Sequence, residues 1–247
     1  NNLNLNNVKA NISNQEADLF LLNSMGFDYI DIDTFGSPVP FIDAALKRIS
    51  RGGILAITAT DTGALSGSFP KACKRRYFAT PSRGPQMHEY GLRILARRVQ
   101  LQGAQYGKAL TPIFSYSKDH YMRVIFKCEF GKQKADLILK QHKLINDVGP
   151  IWTGQLWEQD LLENMIEQES EHKSFLELLL SESKIDSCLF HPIHAYCKEL
   201  KSAVPKFQTI MQTIEKISPV SRTHFAHDGI RTNLTKKEVL EQIEFSK

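Results

Sequence analysis

The apolar positions of this chain change their period along its length. In the first half, short apolar and β-branched runs alternate with stretches of helical spacing, which predicts a mostly parallel sheet with crossover helices. Residues 8–12 read as a short strand and 16–24 (EADLFLLNS) as one or two helical turns. Residues 27–33 (FDYIDID) read as a strand that ends on a carboxylate, 41–49 as a helix and 53–60 (GILAITAT) as a buried strand. Residues 86–106 read as a long helix with Leu92, Leu95, Ala96 and Val99 on one face and its arginines on another. Two runs, 110–116 and 121–128, lie close enough in sequence to pair antiparallel. This is the order of the second half of a doubly wound α/β domain closed by a terminal hairpin.

Turn and charge signals gather in GKQKADLILKQHKLINDVGP, which predicts a boundary there: a first domain over 1–135, a linker over 136–149 and a second domain over 150–247. The second part is helical in pattern at 158–167, 173–181, 193–200 and 206–217. A hairpin (221–226 and 229–232) is expected around His227-Asp228, with a last helix from Lys236. Helix, helix and two-stranded ribbon is the grammar of a winged helix, with any other small α+β domain as the alternative.

Composition narrows the class. A 247-residue chain with 42% hydrophobic residues can bury a core, and no run approaches the roughly 18 apolar residues of a membrane span. Cys73, Cys128, Cys188 and Cys197 are widely spaced with no CxxC pair, so the expectation is a soluble cytoplasmic protein with reduced thiols and no recognisable zinc site. His191 and His194 have a metal-like spacing without an evident third ligand, and no metal is expected. Net charge is only +4, but Lys71, Lys74, Arg75, Arg76, Arg83, Arg93, Arg97 and Arg98 stand against one acid, Glu89, within 28 residues of chain. Such a cluster fits either a row of phosphates or a solvated helical face.

The segment with most chemistry is Asp33-Thr34-Phe35-Gly36-Ser37-Pro38, directly after FDYIDI. Ligands of open α/β sheets bind beyond the carboxyl ends of strands. Methyl transfer to an exocyclic amine needs the amine held in line, its lone pair freed and a proton accepted. Asp33, the Thr34 carbonyl and the Phe35 ring supply such a set, although the same residues could equally make an Asx-type turn.

The segment DTFGSPVPFIDAAL resembles the Asp-Pro-Phe-Gly-Ser-Pro segment of the tRNA guanine-26 N2-dimethyltransferase family. GILAITATDTGALSG with CKRRY, MHEYGLRIL, YSKDHYMRV, GPIWTGQL and SRTHFAHDGIRT resemble the same family in the same order, over roughly residues 14–232. The resemblance implies the second half of a class I, Rossmann-like sheet that uses S-adenosylmethionine, plus a smaller α+β tRNA-binding domain. It implies Asp33 at the guanine N1 and N2 edge and Phe35 as a stacking wall. Glu16 and Ala17, in Asn14-Gln15-Glu16-Ala17, would join Asp33 at the cofactor. Lys74, Arg75, Arg76, Arg83, Arg97, Arg98, Arg222, His224 and Arg231 are the expected RNA contacts, in a protein expected to act as a monomer.

Two residues depart from the family pattern. Thr34 stands where the family has proline and loses the ring that fixes φ. Glu16 replaces aspartate and is one methylene longer. No strand leading into a glycine-rich turn precedes Asp33, so the chain is expected to be a fragment that cannot methylate alone. A tRNA-binding protein without catalysis and an amino-methyltransferase acting on DNA adenine are the competing readings.

Overall fold

The computed structural model describes residues 9–245. After a short helix α1 (Ala17–Leu22), strands β1 (Phe27–Asp33), β2 (Ile49–Ala59), β3 (Lys108–Lys118) and β4 (Tyr121–Phe130) form one sheet in the order β1-β2-β4-β3. β1 and β2 run parallel, joined by a 3-10 turn (Val39–Phe41) and helix α2 (Ile42–Arg48); β4 is antiparallel to both β2 and β3. The alternation in FDYIDID survives as buried Ile30 and Ile32 between exposed Tyr29, Asp31 and Asp33. Register sets Asp33 opposite Thr58, Thr58 opposite Arg123 and Arg123 opposite Tyr116, so these four residues form one row across the sheet.

Helices α3 (Thr62–Leu65) and α4 (Pro70–Tyr77) follow β2 where the periodicity suggested no element, and α5 (Met87–Ala104) is the predicted long helix. Its Leu92, Leu95, Ala96 and Val99 are fully buried. Gly91 lets α5 close on the sheet: a Cβ there would lie 2.6 Å from the Met122 methyl and 3.1 Å from the Leu65 carbonyl. The strand expected at 8–12 is not formed by residues 9–12, which lack a β partner, and Val8 lies outside the described residues.

Residues 136–149, expected as a linker, hold the end of helix α6 (Lys132–Leu139), strand β5 (His142–Ile145) and the start of β6 (Val148–Trp152). Helices α7 (Gln159–Gln168) and α8 (Lys173–Ser183) come next, and their Leu162, Leu176 and Leu179 join the core of the sheet. Strand β7 (His191–Pro192), helices α9 (Ile193–Glu199) and α10 (Phe207–Glu215), hairpin β8 (Val220–Thr223) with β9 (Ala226–Thr232), and helix α11 (Lys236–Phe245) complete the chain. They enclose a second core around Ile193, Ile210, Ile214, Ile230, Val239 and Ile243. The hairpin turns at His224-Phe225, three residues before the expected position. The cause is tertiary: Glu182 accepts the His224 N–H at 2.8 Å, and the Phe225 ring stacks on Phe190 at 6.2 Å. No helix among the described residues is long and apolar enough to cross a membrane.

A buried charge network ties the hairpin to α5 and α8. Arg231 reaches Glu89 at 2.9 Å and Glu182 at 3.0 Å, Arg93 reaches Glu89 at 2.9 Å, and His224 Nδ1 lies 2.6 Å from Glu182. Burial opposes the Glu182 charge, but His224, Arg231 and the Thr223 hydroxyl outweigh it and hold the carboxyl down to about 2. The Ser117 N–H donates to His224 Nε2, which leaves Nδ1 as the protonated nitrogen that donates to Glu182.

Candidate active site

Strand β1 ends with the Asp33 side chain exposed at the rim of the sheet. Two residues earlier Asp31 is also exposed, but the Arg123 guanidinium grips it through two bonds, at 2.6 and 3.1 Å, and also donates to Thr58. Burial works against the Arg123 charge, yet Asp31 and the nearby Tyr116 and Tyr29 raise its pKa. Asp33 has no ion pair among the described residues. One carboxylate is therefore neutralised and its neighbour is left available.

The turn after Asp33 is anchored from two sides. Gly36, at φ +83°, takes a backbone conformation that side chains resist. Its N–H donates to Thr60 Oγ1 at 2.6 Å, and the Thr60 N–H returns a bond to the Gly36 carbonyl at 3.0 Å. Ser37 Oγ meets the Tyr77 hydroxyl at 3.0 Å, Tyr77 donates to Asp61 at 2.6 Å, and Arg76 pairs with Asp61 at 2.9 Å. Burial, and then the charge of Asp61, push the Tyr77 phenol well above its ordinary range, so it stays a donor. These tethers hold the turn that a proline at position 34 would otherwise stiffen. Between them Phe35 stands fully exposed and Thr34 Oγ1 is buried without a partner.

Beside the turn lies a cavity of about 380 Å³ whose wall includes Ala17, Phe20, Phe27, Phe41, Thr34 and Asp33. The structure thus gathers three of the expected site residues, Ala17, Asp33 and Thr34, around one space. Glu16 is exposed immediately before Ala17, and Phe35 projects outside. Composition and spacing gave no sign of Thr60, Asp61, Tyr77 or Arg123; CKRRY contained Tyr77 but did not single it out.

The expected RNA contacts separate by burial. Lys74, Arg75 and Arg76 on α4, Arg83 and Arg222 are exposed, with Arg222 resting over the Phe207 ring at 5.0 Å. Arg97 and Arg98 instead close the end of α4: Arg97 donates to the Tyr77 and Phe78 carbonyls, and Arg98 to that of Arg76. Arg98 is nearly buried, Arg231 is wholly buried and the His224 side chain is 2% exposed. These three leave the set of phosphate contacts, because carbonyls or carboxylates inside the protein already hold them. Away from this site, His191 is buried against Tyr196, while His194, His227 and Asp228 place ligand atoms within 4.8 Å of one another on the surface.

The family model for N2,N2-dimethylguanosine tRNA methyltransferases matches residues 1–148 and 145–244. The chain is 36% identical, over 98% of its length, to a tRNA (guanine(26)-N(2)/guanine(27)-N(2))-dimethyltransferase of Aquifex aeolicus (strain VF5), spanning 72% of that protein. It is 34% identical, over 84% of its length, to a tRNA (guanine(26)-N(2))-dimethyltransferase of Thermococcus kodakarensis, spanning 62% of that protein. A solved structure of Trm1 from Pyrococcus horikoshii in complex with S-adenosyl-L-methionine superposes with a TM-score of 0.87 at 31% identity, over 94% of this chain and 70% of that one. The four-stranded sheet is thus part of a Rossmann-like methyltransferase fold, as the resemblance implied, but it is mixed rather than mostly parallel, since of its pairings β1–β2 is parallel and β2–β4 and β3–β4 are antiparallel. By the two-segment family match, the identities and this superposition, the chain belongs to the N2,N2-dimethylguanosine tRNA methyltransferase family.

Proposed function

We propose that this chain serves a tRNA methyltransferase that moves methyl groups from S-adenosylmethionine to N2 of a guanine, with guanine 26 as the target. The observation that carries the reading is the unpaired Asp33 carboxylate, exposed beside a cavity while Arg123 occupies Asp31. The N2 lone pair of guanine is delocalised into the ring. A carboxylate that accepts hydrogen bonds from the N1–H and N2–H edge stabilises the positive charge that develops as N2 attacks. Asp33 then takes up the departing proton and, being exposed, passes it to solvent. The Thr34 carbonyl orients the second N2–H, and the Phe35 ring stacks on the base.

Glu16, Ala17 and Asp33 are the residues proposed to hold the cofactor, which when bound supplies an electrophilic methyl group on a sulfonium. The cavity fits an adenosyl group in character: aromatic walls for a flat ring, with Asp33 and the unsatisfied Thr34 hydroxyl as polar partners. Lys74, Arg75, Arg76, Arg83 and Arg222 meet tRNA phosphates, so that α4 and its flank grip the RNA together with the C-terminal part, residues 150–247. The enzyme acts as a monomer, without a metal, in the cytoplasm.

The test is nucleoside analysis of a tRNA transcript incubated with S-adenosylmethionine and the product of the whole open reading frame that contains this chain, because the chain by itself is expected not to methylate. The expected result is N2-methylated guanosine that Asp33→Ala abolishes while tRNA affinity stays within about twofold. Undiminished methylation by Asp33→Ala, or tRNA binding without any methyl transfer, would return the chain to the RNA-binding proteins without catalysis.

A further inference from the structure

A second and larger cleft, of about 840 Å³, opens at the far end of the sheet row that begins at Asp33. Tyr116, the last residue of that row, forms its wall together with Tyr121, Phe114 and Phe175. The Tyr116 ring meets the other three edge-to-face at 5.6–5.9 Å. The volume is that of a small-molecule site. Nothing in the catalytic reading uses it.

Its polar groups describe the occupant. His88, Ser117, Gln168 and His172 offer both donors and acceptors, while Lys118 is balanced by Asp119 and Glu169. Burial holds the His88 imidazole below its usual range, so near neutral pH it meets a ligand as an uncharged donor and acceptor. A phosphate cradle would collect cations and backbone amides without carboxylates at its edge. Flat aromatic walls with paired donors and acceptors suit a planar heterocycle.

Position narrows the choice. From Asp33 to Tyr116 the row crosses three strand spacings of about 4.8 Å, or about 14 Å in all. The Asp33 carboxylate is close enough to Tyr116 to raise its phenol pKa, after burial and Tyr121. An unstacked RNA strand with one base at Asp33 can bring a neighbouring base over that span.

We propose that this cleft receives a second nucleobase of the tRNA, unstacked from the strand beside the target guanine. The network of Glu89, Arg231, Glu182 and His224 then has a positioning role, since His224 and Phe225 line the cleft and Ser117 bonds to His224. The inference rests on the target base docking at Asp33, and its test is separable from that reading.

The test uses the unaltered chain bound to tRNAs carrying 5-iodouridine at single positions flanking the target. Irradiation and peptide mapping should give crosslinks to Tyr116, Tyr121 or Phe175 from at least one flanking position, in wild type and in Asp33→Ala alike. Flanking crosslinks that all fall elsewhere, with the target still methylated, would overturn the cleft assignment alone. Loss of methylation control by Asp33 with the crosslinks intact would overturn the catalytic reading alone. As a second measurement, Tyr121→Ala should weaken tRNA binding about 10-fold, the scale of one base–aromatic stack, and an unchanged affinity counts against the proposal. If that variant fails to fold, the crosslinks on the unaltered chain decide.

Discussion

Asp33 and Glu182 are both carboxylates on ordered elements, and the molecule treats them in opposite ways. Glu182 is wholly buried and bonded to Arg231, His224, Thr223 and a backbone amide. Asp33 is exposed and lacks a cation among the described residues, although Arg123 stands in the same row two strands away from it. A buried carboxylate survives only when every lone pair is met, so Glu182 fixes geometry and has nothing left to offer a ligand. An exposed carboxylate with no partner contributes little to the fold and is free for substrate. Burial, more than residue type, separates architecture from chemistry here.

The contrast is broken first, and most heavily, at the network. Arg231→Met leaves Glu89 and Glu182 buried with one fewer partner and should cost about 3–5 kcal/mol, measured by chemical denaturation. The network also predicts an acid limit. The Glu182 carboxyl is held at about 2 against an ordinary value near 4.5, so its stabilisation is present above pH 4.5 and lost as pH falls toward 2. Trp157, whose ring lies 5.6 Å from the Arg231 guanidinium, reports the loss by fluorescence. Glu182→Gln should flatten that acid limb, and an unaltered limb would assign it to other carboxylates.

At Asp33 the expected effects reverse. Asp33→Asn should lower methyl transfer by about 10²- to 10⁴-fold, the usual range for a positioned acid or base, with the melting temperature unchanged. A drop in melting temperature as large as that of Arg231→Met would mean that Asp33 is structural after all. Phe35→Ala is milder. Its ring is fully exposed, so stability should hold while kcat/KM falls about 10-fold through lost base stacking.

The sequence made part of this contrast legible. Alternation in FDYIDID located β1, its exposed face and its terminal acid, because a half-buried strand writes its period directly into the chain. It singled out Asp33 by its place at the strand end but not the pairing that takes Asp31 out of play, since that depends on Arg123, 92 residues away. The apolar stripe of α5 was equally plain, yet Glu89 and Arg93 gave no hint of burial, because Arg231, which pairs with Glu89, stands on β9 and the carbonyls that Arg93 binds belong to Trp152 and Gly154, about 60 residues on. Residues 132–152 carried lysines and turn residues that masked a helix and a hairpin; only their packing beside α5 shows why Ala135, Ile138, Ile151 and Trp152 are apolar. The site turn was recognised through family resemblance, whereas its tethers at Thr60 and Tyr77 come from separate elements and required the fold.

The basic cluster offers the smallest and most discriminating effect. In sequence Lys74, Arg75, Arg97 and Arg98 look alike, but the first two are exposed on α4 and the last two bind the carbonyls that end it. Each phosphate contact contributes a counterion term to the salt dependence of RNA binding. Lys74→Ala or Arg75→Ala should therefore reduce the slope of log K against log salt by about 1 and leave stability unchanged. Arg98→Ala should leave the slope alone and lower the melting temperature instead, because it frees a helix-end carbonyl and removes the guanidinium stacked 5.1 Å over Phe78. If Arg98→Ala changed the slope and Lys74→Ala did not, the division of these cations by burial would be wrong, and the RNA would have to approach along α5 rather than α4.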